Sequence, residues 1–177
     1  MEIIVWPPET LSWNSNRVRC ALGRSGVKLR KKEGDGATPI GRFPLRRVMY
    51  RPDRLAAPKT GLPVRALEAG DGWCDAPADD SYNRLVRLPF SASFEALWRD
   101  DNVYDVIVPL GYNDDPVEPG LGSAIFVHVA RPGYDPTEGC IALALEDLLD
   151  LLTHCDEATV LSVSPRPGIR PESGQVS

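Results

Sequence analysis

At 177 residues the chain is long enough for one domain that buries about two-thirds of its unfolded surface, so it needs neither disulfides nor a metal for stability. Its 25 acidic residues outnumber 20 basic ones and leave a net charge of −5, which argues against nucleic acid or an anionic membrane as the main partner. The four cysteines, Cys20, Cys74, Cys140 and Cys155, are far apart and form no Cys-x-x-Cys pair, so no metal site is expected.

The N-terminus has neither a basic leader nor an apolar stretch of signal-peptide length, and nowhere do about 18 apolar residues run together as a membrane helix requires. The expectation is a soluble protein with no membrane span and no visible export signal. In chain order, Glu2 to Trp6 and Arg17 to Leu22 read as strands joined by turns, and 17 prolines with 15 glycines favour short strands over long helices throughout. Val27 to Lys32 extends the sheet, with Lys28, Arg30, Lys31 and Lys32 read as a solvated strand end. Residues 33 to 41 form a glycine-rich loop that lacks the lysine of a P-loop and the spacing of a dinucleotide fingerprint.

Arg42 to Tyr50 alternates as a strand and leads into a long irregular stretch from Arg51 to Asn83, of the kind that serves as a lid or an insertion. Trp73 and Tyr82 within it either pack on the core or line a cleft. Ser93 to Trp98 is expected as a short helix. Val103 to Leu110 and Ser123 to Ala130 are nearly continuous apolar runs, hence buried strands and plausible antiparallel neighbours, with Pro109 ending the first. Leu145, Leu148, Leu149 and Leu152 fall on one helical face, and Glu146 and Asp147 sit in the first turn, where the helix dipole favours acids. Ala158 to Ser164 supplies a closing strand. One domain thus spans 1–164, and 165–177, with three prolines and no periodicity, reads as a disordered tail.

The chemistry concentrates between the two last core segments. A cysteine attacks as its thiolate, and a free thiol with a pKa of about 8.5 needs a cationic or dipolar neighbour to ionise at neutral pH. His128 is one of only two histidines, and the turn-rich loop Arg131 to Pro136 can reverse the chain to bring it to Cys140. Gly139 removes a side chain where a carbonyl must approach, and its backbone N–H is a candidate for holding an oxyanion close upstream of the helix. Cys20 and Cys155 read as small buried hydrophobes, and His154 as a residue at the helix C-terminus.

Ala124-Ile-Phe-Val-His128, then Thr137-Glu-Gly-Cys140-Ile, and upstream Asp35-Gly-Ala-Thr-Pro-Ile-Gly-Arg-Phe43 together resemble the signature of the L,D-transpeptidase (YkuD-like) family, in the family's order. The resemblance implies a mainly β domain, a curved sheet or sandwich with few short helices and the cysteine at a cleft before a short helix. It also implies acyl transfer between donor and acceptor stem peptides of peptidoglycan, with no cofactor and with acylation by carbapenem-type inhibitors. Cys140 is then the nucleophile, His128 its base or ion-pair partner, Gly139 part of the oxyanion region, and Arg131, Thr137, Tyr112 and Asn113 are candidate substrate contacts. Family members act in the cell envelope.

Two positions depart from the family pattern: Glu138 stands where His or Arg is frequent, and Ala142 where Arg or Asn is. An acid beside the nucleophile opposes ionisation of the thiol unless paired, and Arg131 is the expected partner for Glu138. Hydrolysis of a peptide or acyl substrate, and a catalytically silent domain that binds peptide or glycan, are the alternative readings.

Overall fold

The computed structural model describes residues 1–166, so all of the expected tail except residues 165 and 166 lies outside the described residues. Two five-stranded sheets carry the architecture. The first runs in the order β3 (Asn16–Arg19), β2 (Thr10–Trp13), β1 (Glu2–Trp6), β15 (Val160–Val163) and β6 (Gly41–Pro44). Its first and last strands in sequence, β1 and β15, lie side by side and parallel, with Ile3 opposite Leu161. The period-2 alternation of a strand sends Ile3, Val5, Leu11, Trp13, Leu161 and Val163 to the same buried side.

The second sheet runs β14 (Ile141–Leu143), β13 (Phe126–Val129), β12 (Val106–Pro109), β7 (Val48–Tyr50) and β8 (Val64–Ala66). β12 and β13 pair antiparallel, as their apolar runs suggested, whereas β13 and β14 are parallel. Every residue of β12, β13 and β14 is buried, so this sheet is covered on both faces. Its inner face, with Val106, Val108, Val127, Val129, Ile141 and Leu143, packs against the first sheet and against α1 (Leu145–Thr153) through Leu148, Leu151 and Leu152. Its outer face carries a second apolar cluster that includes Met49, Ile107, Phe126 and Cys140. That face lies under a three-stranded cap, β10 (Leu85–Arg87), β9 (Asp71–Cys74) and β11 (Phe94–Ala96). A short parallel ribbon, β4 (Val27–Lys28) with β5 (Thr38–Pro39), completes the described elements.

Several local readings are corrected. The expected helix at Ser93 to Trp98 is instead β11, whose three residues pair with β9; the sheet contact outweighs the helix propensity of Glu and Ala over so short a span. Arg42 to Tyr50 divides between the two sheets as β6 and β7, with a lone bridge from Leu45 to Leu110 near the crossing. Arg51 to Asn83 is not wholly irregular, since it supplies β8 and β9. Lys31 is not part of a solvated strand end: its side chain is only 3 % exposed, and its ammonium donates to Asp35 at 2.8 Å.

Candidate active site

Strand pairing builds the site. Because Val127 is in register with Ile141, the residues beside them, Phe126 with Cys140 and His128 with Ala142, lie next to one another on the outer face of the second sheet. Cys140 and His128 are therefore diagonal neighbours on adjacent parallel strands. The Cys140 thiol donates to the Ala124 carbonyl at 3.1 Å and accepts from the Phe126 N–H at 3.4 Å. Burial pushes this thiol up to about 12, and the Glu95 carboxylate adds to the shift against the opposing Phe126 N–H and the Lys31 charge.

The His128 ring is equally enclosed. Its Nδ1 lies 2.9 Å from the Val129 carbonyl, which can only accept, so Nδ1 carries the hydrogen and Nε2 keeps a lone pair. The carbonyl is the acceptor that a basic imidazole requires at its second nitrogen. The Tyr104 ring meets the imidazole edge-on, with centroids 5.4 Å apart. Burial lowers the His128 pKa to about 4, and the charges of Arg131 and Arg99 push the same way. At neutral pH the resting site thus holds a neutral thiol beside a neutral imidazole, and among the described residues no hydrogen bond joins the two.

The turn before Cys140 is walled by the upstream Thr-Pro segment. Gly139 has φ +134°, and a Cβ there would lie 2.7 Å from the Ala37 carbonyl oxygen, so both conformation and space demand glycine. Its N–H donates to Thr137 Oγ1 at 3.1 Å, and the same hydroxyl donates to the Cys140 carbonyl at 2.6 Å. Thr137 in turn exchanges backbone bonds with Leu22 and Arg24, while the Gly23 N–H donates to Thr38 Oγ1 at 2.9 Å. Three segments distant in sequence, 22–24, 37–38 and 137–140, thus fix one turn. The helix α1 does not adjoin the thiol; β14 stands between them, and the helix N-terminus belongs to the opposite end of that strand.

The remaining sequence candidates have varied surroundings. Arg131 lies 3.8 Å from Asp101 and does not pair with Glu138. Glu138 turns outward, 75 % exposed, and is held by Arg24 at 2.9 Å, which is why it does not bear on the thiol. Tyr112 donates to the Leu121 carbonyl and stacks edge-on against Phe43, and Asn113 is occupied with Glu118 and Gly122; both side chains brace their own loop. Ala142 is buried, paired through its backbone with His128 on β13 and bridged to Ala21 on its other side.

The cap contributes Trp73, one of the two aromatics that the sequence marked, and Asn83 and Glu95, to which it gave no role. Trp73 packs edge-on against Phe126 at 5.1 Å and donates its indole N–H to Asn83. Asn83 also accepts from the Ala124 N–H at 3.0 Å and donates to the Tyr112 and Asn113 carbonyls, so one amide ties the cap to the residue whose carbonyl receives the thiol hydrogen bond. Glu95 accepts a hydrogen bond from Tyr104. The aromatic-rich 73–82 stretch was the available signal for the cap, but Glu95 becomes visible only once β9 and β11 are paired.

An open cleft of about 530 Å³ borders this region through Met49 and Trp73, and a smaller one of about 260 Å³ lies over Gly23, Arg24 and Tyr134; neither is lined by Cys140 or His128. Among the described residues no group of His, Cys, Asp and Glu is placed to hold a metal ion, and no helix is long and apolar enough to cross a membrane. A family model described as YkuD, the L,D-transpeptidase catalytic domain, matches residues 3–163. No curated protein and no solved structure matches the chain.

Proposed function

Because the chain belongs to the L,D-transpeptidase catalytic domain family, we propose that it is a cysteine acyltransferase acting on peptidoglycan stem peptides, with Cys140 as nucleophile and His128 as its base. The observation that carries this reading is the pairing of Cys140 and His128 on one protected face, with the Nδ1 hydrogen fixed on the Val129 carbonyl and the Nε2 lone pair left for the thiol proton.

The resting thiol is not activated, so activation belongs to the substrate complex. A donor peptide that displaces part of the cap brings polar groups to the site and lets the thiol turn from the Ala124 carbonyl toward Nε2. The sulfur then bonds to the carbonyl carbon of the third stem residue while its proton passes through Nε2 to the leaving nitrogen. The amide C–N bond breaks, and the terminal D-alanine departs with a neutral amine. The Cys140 N–H, which has no acceptor among the described residues, is suited to hold the oxyanion; the Gly139 N–H is already engaged by Thr137. An acceptor amine resolves the thioester to a cross-link. The setting for this activity is the cell envelope.

A carbapenem tests the assignment, since its strained amide mimics the donor carbonyl. Intact-mass measurement should show one covalent adduct per chain, and peptide mapping should place it at Cys140. Cys20, Cys74 and Cys155 are buried free thiols and serve as internal controls. No adduct, or an adduct that survives Cys140→Ala, would overturn the assignment.

A further inference from the structure

Glu95 sits where a structural acid has no reason to be. On the cap, Leu85 and Glu95 flank Trp73 in register, so all three point to the same side, and Trp73 shows that side to be the one facing Phe126 and the site. In this inward row of Leu85, Trp73 and Glu95, Glu95 is the one acid, with the charges of Arg99, Asp75 and Glu33 further off. It is half-buried, it forms no ion pair among the described residues, and only one of its oxygens has a hydrogen-bond partner, the Tyr104 hydroxyl. The nearby Arg99 does not neutralise it, because Arg99 is held in a two-pronged pair by Asp101. The carboxylate is close enough to Cys140 to oppose its ionisation, which is a liability for the first half of the reaction. A group that hinders acylation and is kept in place invites a role in the second half.

We propose that Glu95 receives the ammonium of the acceptor peptide and takes the proton that must leave before the amine attacks the thioester. This inference rests on the transferase reading and assigns the acceptor as a primary alkylamine that arrives protonated, such as the side chain of a diamino acid. The free oxygen Oε2 accepts the ammonium. Transfer of one proton gives the neutral amine and a protonated Glu95; the nitrogen then bonds to the acyl carbon and the C–S bond breaks. The second nitrogen proton passes through His128 to the departing sulfur, restoring the thiol, and Glu95 returns its proton to solvent. Burial, which raises the Glu95 carboxyl above its ordinary range, makes it a better acceptor of that proton.

Glu95→Gln tests this, because the amide keeps an oxygen for Tyr104 and preserves the cap contact. Three rates are compared with wild type at pH 7: acylation by carbapenem, transfer from the acyl-enzyme to a cationic diamino-acid peptide, and transfer to hydroxylamine, which is uncharged at that pH. The expected result is faster acylation, transfer to the cationic acceptor reduced about a hundred-fold with more hydrolysis in its place, and transfer to hydroxylamine unchanged. Equal loss toward both acceptors would reduce Glu95 to a structural part of the cap, and undiminished transfer to the cationic acceptor would refute the inference outright. A wild-type chain that forms no acyl-enzyme would instead fail at the function itself and take this inference with it.

Discussion

The two faces of the second sheet are made by alternate residues of the same strands, yet they are built on different terms. Toward α1 and the first sheet, Val106, Val108, Val127, Val129, Ile141 and Leu143 present only aliphatic surface. Toward the cap, the same strands present Ile107, Phe126, His128 and Cys140, joined by Tyr104 and Glu95. The inner face is sealed by dispersion and the hydrophobic effect, which are non-directional and survive small shifts. The outer face carries a smaller apolar cluster, and directional bonds tie the cap over it: Asn83 to the Ala124 N–H, Tyr104 to Glu95, and Asp71 of β9 to Arg65 of β8 and to Arg87. A face closed by a smaller apolar cluster and a few directional bonds opens more readily than the aliphatic one, so stability and access reside on opposite sides of one layer.

This contrast is broken most directly from the inner side. Leu148→Ala removes a fully buried side chain of α1 and should lower stability by about 2–5 kcal/mol, read from urea midpoints, while the rate of Cys140 alkylation under native conditions stays at its wild-type value. On the outer side the pattern reverses. Asn83→Ala strips the cap of its tie to Ala124, Trp73 and the 112–113 carbonyls, and should cost only about 1–3 kcal/mol globally while speeding iodoacetamide labelling of Cys140 about ten-fold, followed by intact mass.

Acid sharpens the same comparison, since of the two faces of this sheet the outer one carries the buried histidine. His128 has its pKa lowered to about 4 in the folded chain, so between there and its ordinary value of 6.5 the unfolded state binds more protons and stability falls as pH falls through that window. His128→Asn should lack this component, and the difference between pH 7 and pH 4.5 should shrink by on the order of 2 kcal/mol in paired denaturation curves. At the other end of the scale, Cys140, raised to about 12, stays protonated when folded, so stability declines as pH rises past the ordinary thiol range. The smallest effect belongs to Glu138→Gln. Its pair with Arg24 is mostly in solvent, so stability should change by less than about 1 kcal/mol, and the Cys140 titration should not move.

The sequence was most legible where one strand or one helix decides the outcome. The runs that became β12 and β13, the leucine spacing of α1 and the strand at Glu2 to Trp6 each carry their own periodicity. The glycine of the Gly139-Cys140 turn stands out in the sequence for another reason, room for a substrate carbonyl, whereas in the fold it answers the close approach of the Ala37 carbonyl. What could not be read were consequences of pairing. Phe94-Glu95-Ala96 has no strand character apart from β9, and Lys31 looks like any basic residue in a basic run until Asp35 folds back onto it. The charge at the thiol was sought in the neighbour Glu138, which turns away, and is supplied by Glu95, which adjacency in sequence could not reveal.

The place of β15 has a consequence for how the molecule comes into being. It is the only named strand paired with β6, and it gives β1 its second neighbour, although it is the last strand of the described chain. β6 continues directly from the Thr38-Pro39 segment, whose neighbour Ala37 walls Gly139. A nascent chain that has already exposed Cys140 therefore still lacks the seat for that wall, because loop closure over more than a hundred residues must wait for Val160 to Val163. Release of Val160 to Val163 is therefore the last event for which the first sheet waits, and it comes only after every residue of the site has been made.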